Sequence, residues 1–343
     1  MTKHIFYHGD VIDCLRKIPE KSVNTVVTSP PYWGLRDYGV DGQLGLESTP
    51  DEYVAKMADV FREVRRVLRD DGTLWLNLGD SYASRGGIAQ PHRDGGSGGI
   101  GKKGTRGMQS YSAAGGGFIK PSAINNGLKP KDLIGIPWRV ALALQADGWY
   151  LRSDIIWAKP SPMPESVTDR PTRAHEYIFL LSKSSKYYYD ADSIREPLSE
   201  QRAKQAGKLV DPGNDAKKRE KQIEHDKKRG SGGHFDGHKW RMNPLGRNKR
   251  SVWIVSTKPF PEAHFATFPP ELVRPCILAG SPVGGTVLDP FGGSGTVSMV
   301  AMQEGRDSIY IDLNREYLDM ALRRCGFGGS KLTFDLYEVR EVG

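Results

Sequence analysis

Residues 287–296 read Val287-Leu288-Asp289-Pro290-Phe291-Gly292-Gly293-Ser294-Gly295-Thr296, and this stretch decides the fold class. An apolar strand ends in an acid, passes through a glycine-rich turn, and opens a helix over 297–303. Glycines let a ligand approach the backbone closely, and a helix N-terminus offers unpaired N–H groups. The pattern is neither the dinucleotide fingerprint G-x-G-x-x-G nor a phosphate loop, since no Gly-Lys-Ser/Thr follows. Downstream, 308–312 (SIYID) is a second strand ending in an acid, Asp312. It is spaced like the carboxylate that holds a ribose in doubly wound folds. The expected architecture is therefore α/β: a doubly wound, mostly parallel sheet with one antiparallel edge, formed from both ends of the chain.

A second stretch, 25–38 (TVVTSPPYWGLRDY), carries the candidate chemistry. Val26 and Val27 end an apolar strand that Pro30 and Pro31 stop abruptly, because neither proline donates to a ladder and each restricts the residue before it. The result is a rigid turn at a strand's C-terminal end, presenting the Ser29 hydroxyl, a backbone carbonyl and the Tyr32 ring. Two acceptors and a flat face suit the exocyclic amine of a planar base. The bland alternative is a proline-terminated strand whose aromatics cap the core.

Together the two stretches resemble the S-adenosylmethionine-dependent DNA amino-methyltransferases. That family has an Asp/Asn/Ser-Pro-Pro-aromatic catalytic motif and an acid-x-Phe-x-Gly-x-Gly cofactor motif. They stand here as Ser29-Pro30-Pro31-Tyr32 and as Asp289 through Gly295. The catalytic motif comes first, the permuted order of the beta class. The resemblance covers the chain except for two inserts. It implies catalytic roles for Ser29, Pro30, Pro31 and Tyr32. It implies cofactor contacts at Asp10, Thr28, Phe265, Thr267, Phe268, Asp289, Phe291, Gly293, Ser294, Gly295, Thr296 and Asp312. Contacts to DNA are expected at Trp33, Lys159, Arg241, Arg247, Lys249 and Arg250. Asp10 also reads as a plain helix N-cap, and both roles can hold together.

Composition is that of a soluble globular protein: 343 residues, 38% hydrophobic and 26% charged, with net charge +8. No apolar run approaches the ~18 residues that span a bilayer, and MTKHIFYHGD lacks a signal-peptide core, so a cytoplasmic location is expected. Cys14, Cys276 and Cys325 show neither metal-ligand spacing nor a disulfide framework. Residues 201–250 hold 15 Lys/Arg against 6 Asp/Glu, more than the whole chain's excess, which suits a polyanion as well as a solvated lysine-rich loop.

Taken in order, 1–84 reads as the catalytic half of a methyltransferase domain. It has a strand at 4–10, a helix at 11–18, and an amphipathic helix at 51–69 leading into a strand at 73–78 that ends in Gly79-Asp80-Ser81-Tyr82. Residues 85–130 form a glycine-rich loop. Twelve of the 34 residues 85–118 are glycine, a composition that cannot bury enough surface to order itself. It reads equally as a loop closing over nucleic acid and as a passive linker. Residues 131–195 read as target-pocket strands. A mostly buried helix at 132–146 presents Leu133, Ile136, Val140, Leu142 and Leu144, and strands follow at 149–158 and 177–182. By the resemblance, Lys159, Pro162 and His175-Glu176 edge the target-base pocket, as support rather than as an acid/base pair, and His175 reads as a satisfied structural histidine. By position, the basic stretch 196–250 resembles the family's target recognition region, and 251–343 reads as the cofactor-binding half. Pro275-Cys276 superficially matches the nucleophile of C5-cytosine methyltransferases, but it lies mid-helix without a Glu-Asn-Val partner motif, so Cys276 reads as packing.

The implied reaction is direct displacement of a methyl group by an amino nitrogen, with double-stranded DNA as partner and neither metal nor covalent intermediate. Serine in the first motif position favours N4 of cytosine over N6 of adenine, and the acceptors fit either amine. A glutamine methyltransferase would place the cofactor motif first, an NAD-dependent oxidoreductase needs the missing G-x-G-x-x-G, and a dead DNA-binding protein should have lost Ser29 or a cofactor glycine. A companion restriction endonuclease, and monomer against homodimer, stay open at this point.

Overall fold

The computed structural model describes residues 2–35, 39–83, 127–198, 243, 245–257, 269–327 and 337–342. They fall into two compact units, Met1–Asp190 with Ser251–Gly343, and Ala191–Arg250. In the first unit the order is β1 (His4–His8), α1 (Val11–Arg16), β2 (Val23–Thr28), α2 (Pro50–Val67), β3 (Leu68–Leu78), α3 (Ile136–Ala146), β4 (Tyr150–Ala158), β5 (His175–Ser182) and β6 (Val252–Ile254). It continues with α4 (Pro270–Gly280), β7 (Thr286–Asp289), α5 (Thr296–Gln303), β8 (Asp307–Asp312), α6 (Arg315–Arg324) and β9 (Tyr337–Glu341).

Among the described residues the strands make one sheet in the order β6-β4-β5-β3-β2-β7-β8-β1-β9. Every pairing is parallel except those of β5, which runs against both β3 and β4. The doubly wound α/β fold is thus present, with one correction: the antiparallel strand is interior, not at an edge. Ile178, Phe179, Leu180 and Leu181 are buried, and β5 is hydrogen-bonded along both of its edges, to β3 and to β4. No helix intervenes between β4 and β5, so no parallel crossover is made between them and the second runs back along the first.

The sheet's register positions the site. β7 lies between β2 and β8, pairing Val26 with Leu288 and Tyr310 with Asp289, while His8 pairs with Asp312. The C-terminal ends of β1, β2, β7 and β8 therefore come to one edge. Winding leaves β7 in opposite directions there, the switch point at which open α/β sheets bind ligands.

α2 supports that edge from one face. Thr49 accepts from the Glu52 N–H at 3.1 Å, Glu52 reaches back to the Ser48 N–H at 3.1 Å, and Pro50 sits in the first turn. Its stripe of Tyr53, Met57, Val60, Phe61 and Val64 is fully buried, each contributing about 1.5–3 kcal/mol of burial. α3 starts at Ile136, later than the expected 132, because Gly135 adopts φ 79° and the Asp80 carboxylate caps the N–H groups of Gly135 and Ile136. The shifted start leaves Leu133 outside the helix and 51% exposed. Leu142, also expected in the core, falls off the buried stripe of Ile136, Val140, Ala141 and Leu144 and is 53% exposed. The whole of 85–118 lies outside the described residues. α6 and β9 were not anticipated, and β9 extends the sheet beside β1.

Within the second unit the described residues hold one 3-10 turn, Asp192–Ile194, and a bridge between Glu196 and Arg247. Among the described residues no helix is long and apolar enough to cross a membrane.

Candidate active site

One cavity of about 450 Å³ opens at the switch point, and both sequence motifs line it. Ser29, Pro30, Pro31 and Tyr32 come from the end of β2; Asp289, Phe291, Gly293, Ser294 and Thr296 come from the turn after β7. Asp312 closes it from β8 and Asp10 from β1. Asp10 is at the same time the N-cap of α1, accepting from the Ile12 and Asp13 N–H groups at 2.8 and 3.1 Å.

The proline turn is held from behind. The Tyr53 hydroxyl of α2 donates to the Pro31 carbonyl at 2.8 Å. Trp33, expected at the DNA, is instead core: it is 3% exposed, packs in the main apolar cluster, and donates its indole N–H to the Glu47 carbonyl at 2.8 Å. An indole buried on this scale, with its one donor used, has nothing left to offer a nucleic acid.

A polar network occupies the Ser29 end of the cavity. The Ser29 hydroxyl donates to Asn77 Oδ1 at 3.2 Å and lies 3.4 Å from the Tyr32 hydroxyl. Tyr32 in turn donates to Glu176 Oε2 at 2.7 Å. Asn77 Nδ2 donates to the Tyr177 carbonyl at 3.0 Å, which fixes the amide so that its oxygen faces Ser29. Lys159 forms an ion pair with Glu176 Oε1 and stands 4.5 Å from the centre of the Trp157 ring. The Tyr32 ring lies directly on β3's exit, where a methyl at Gly79 would come within 2.5 Å of it.

At the other end, buried acids organise the glycine turn. Asp289 is 4% exposed and accepts from the Thr28 hydroxyl at 2.7 Å and the Phe291 N–H at 3.1 Å. Burial pushes its carboxyl up to about 7, against those two hydrogen bonds, with the nearby Asp312 charge adding to the rise. Asp312 accepts from the Gly293 and Asn314 N–H groups, both at 2.8 Å, and burial pushes it up to about 6. Arg324 of α6 donates to the Ser294 and Thr296 hydroxyls, each at 2.8 Å.

Two expected cofactor residues stand behind the wall. Thr28 is fully buried and spends its hydroxyl on Asp289. Gly295, at φ 75°, packs where a methyl would meet Ala321 Cβ at 2.6 Å. Neither lines the cavity. Phe265, Thr267, Phe268 and Arg241 lie outside the described residues. Arg247 and Arg250 belong to the second unit, both paired with Glu196 at 2.9 Å, and Lys249 lies between them in sequence. Sequence reasoning missed Asn77 and Trp157. Its available signal was a carboxamide inside the apolar run 74–78. Leu35, Val40, Gln43 and Leu44 also line the cavity, without any motif to announce them. Among the described residues no group of three or more His, Cys, Asp or Glu could hold a metal ion.

The chain is 47% identical over 318 residues to the Type II methyltransferase M.Cfr9I of Citrobacter freundii, covering 93% of this chain and 86% of that one. It is 46% identical over 316 residues to the Type II methyltransferase M.SmaI of Serratia marcescens, covering 92% and 88%. Two solved structures share the fold. TTHA0409 of Thermus thermophilus, complexed with S-adenosyl-L-methionine, is 24% identical with TM-score 0.53, covering 98% of this chain and 99% of that one. The PvuII DNA methyltransferase, described as cytosine-N4-specific, is 19% identical with TM-score 0.57, covering 94% and 87%. The N6/N4 methyltransferase family model, DNA methylase, matches residues 23–323, and the chain belongs to that family.

Proposed function

We propose that this chain transfers a methyl group from S-adenosylmethionine to the exocyclic N4 of a cytosine flipped out of duplex DNA. The observation that carries the proposal is the shared cavity of about 450 Å³ lined by Ser29, Tyr32 and the glycine turn, which brings the two motifs to one space. The turn fits the cofactor: a methyl at Gly293 would meet nothing within 4 Å, so the wall stays open there, while Asp312 and Asp10 offer acidic edges to hydroxyl and amino groups. Asp289, Phe291, Ser294 and Thr296 complete the contacts expected for it.

Bound there, S-adenosylmethionine supplies an electrophilic methyl on a sulfonium. The chain's own residues do the rest. The amino nitrogen's lone pair is delocalised into the base, so it is a poor nucleophile. Ser29 Oγ has both Asn77 Oδ1 and the Tyr32 hydroxyl within reach of its proton, so its lone pairs are left to accept one N–H. The Pro30 carbonyl accepts the other, and the pair pulls the nitrogen toward tetrahedral geometry. Tyr32 stacks on the flipped ring, and positioning supplies much of the rate gain. The basic stretch 201–250 suits the phosphates of DNA. Serine in the first motif position favours cytosine.

Ser29→Ala tests the assignment. Cofactor affinity by calorimetry should stay at wild type while methyl transfer slows by about 10²-fold or more. Unchanged turnover would remove Ser29 from the reaction.

A further inference from the structure

Direct displacement leaves an unanswered matter of charge. As the amino nitrogen bonds to the methyl carbon, the carbon–sulfur bond breaks and its electron pair stays on sulfur. The nitrogen then carries one proton too many. It sits where Ser29 Oγ accepts one of its N–H bonds, so that hydroxyl is the first atom able to receive the proton.

Two features of the cavity bear on where the proton goes next. Ser29 Oγ has two neighbours: the Asn77 amide oxygen at 3.2 Å and the Tyr32 hydroxyl at 3.4 Å. An amide oxygen is a poor relay, since it has no proton of its own to pass on. A phenol both accepts and donates, and Tyr32 already donates at 2.7 Å to the Glu176 carboxylate. The second feature is the fixing of Glu176. Oε2 also accepts from Asn77 Nδ2 at 3.2 Å, and Oε1 is paired with Lys159. The carboxylate is thereby held at the end of a line that begins at the reacting nitrogen.

We propose that Ser29, Tyr32 and Glu176 form a proton relay in which Glu176 is the terminal acceptor. The excess proton passes from nitrogen to Ser29 Oγ, the Ser29 proton to the Tyr32 oxygen, and the Tyr32 proton to Glu176 Oε2. Each hydroxyl ends as it began, the carboxylate becomes a carboxylic acid, and the product is a neutral methylamine. Tyr32 thus has two roles on two parts of one side chain, its ring face for the base and its hydroxyl for the proton. Asn77 keeps the line in register without carrying the proton. This inference rests on the amino-methyltransferase reading of the cavity, and it applies to a cytosine or an adenine amine alike.

The test compares Glu176→Gln, Tyr32→Phe and the double variant in single-turnover transfer to duplex DNA, in water and in deuterium oxide. Glutamine keeps an acceptor oxygen for Tyr32 but cannot take the proton, and phenylalanine keeps the ring but breaks the line. The relay predicts that each single variant slows transfer by about 10²-fold. It predicts that the double variant is no slower than either and that the wild type's solvent isotope effect disappears in all three. Cofactor affinity by calorimetry, and the fluorescence of 2-aminopurine placed at the target base without cofactor, should match wild type. Glu176→Asp, which restores a carboxylate, should recover part of the rate together with the isotope effect. A Glu176→Gln rate equal to wild type contradicts the relay, as do losses in the two single variants that add. Loss of base stacking or cofactor affinity in step with rate also contradicts it, leaving Glu176 a positioning residue only. Transfer by the wild type reports on the reading beneath the relay, and its absence withdraws both.

Discussion

The hydroxyl of Thr28, the last residue of β2, donates at 2.7 Å to the carboxylate of Asp289, the last residue of β7. These residues end the two strands that carry the catalytic and cofactor turns, 261 positions apart in the chain. The bond is fully buried, so it fixes how one turn faces the other.

Thr28→Val keeps the shape and removes the donor. It leaves one oxygen of a buried carboxylate with only the Phe291 N–H, at a cost of about 1–3 kcal/mol. Chemical denaturation should show that loss, together with weaker cofactor binding by calorimetry. Wild-type values in both would mean that the two turns are registered by the sheet alone.

Asp289 gives the fold a dependence on pH. Its carboxyl titrates at about 7 in the folded chain against 3.8 without the fold's influence. Between those values the folded state holds a proton that the unfolded state has lost. Protonation therefore favours folding, and stability falls as pH rises through the window. Asp312, raised to about 6, contributes with the same sign over a narrower range. Melting temperatures of the cofactor-free protein should decline across the window, and less steeply in Asp289→Asn. Parallel curves for the two proteins would show that Asp289 ionises in the folded state without penalty.

Gly79 is the floor beneath the Tyr32 ring. Gly79→Ala would place a methyl 2.5 Å from Cε2 of Tyr32, so the ring must tilt or lift. Transfer to DNA should slow by at least about tenfold, equivalent to ~1.4 kcal/mol of barrier. Cofactor affinity should hold, because the glycine turn is untouched. Steady-state kinetics paired with calorimetry separate the two, and a kcat equal to wild type would show that the ring's place does not matter.

Much of this was legible from residues alone, for identifiable reasons. Proline pairs and glycine runs act over a few positions, so Ser29-Pro30-Pro31 and Asp289 through Gly295 announced their turns without tertiary context. The amphipathic stripe of α2 was equally local. What failed depended on partners distant in sequence. Trp33 looked like an exposed ring beside Tyr32, and only the loop carrying Glu47 shows that it is core. The start of α3 is set by Asp80, more than fifty residues upstream. The interior place of β5 follows from the ladders that β3 and β4 make along its two edges, partners that an apolar run does not name. Asn77 reads as an oddity in an apolar strand until Ser29, Tyr32 and Glu176 are seen around it.

The central claim is the product of the reaction. Wild-type protein incubated with methyl-labelled S-adenosylmethionine and mixed-sequence duplex DNA, followed by digestion to nucleosides and mass analysis, measures it directly. The account predicts label in N4-methylcytosine. Label in N6-methyladenine would keep the cavity's chemistry and contradict the assignment of the base, and no labelled nucleoside despite cofactor binding would contradict DNA as the substrate.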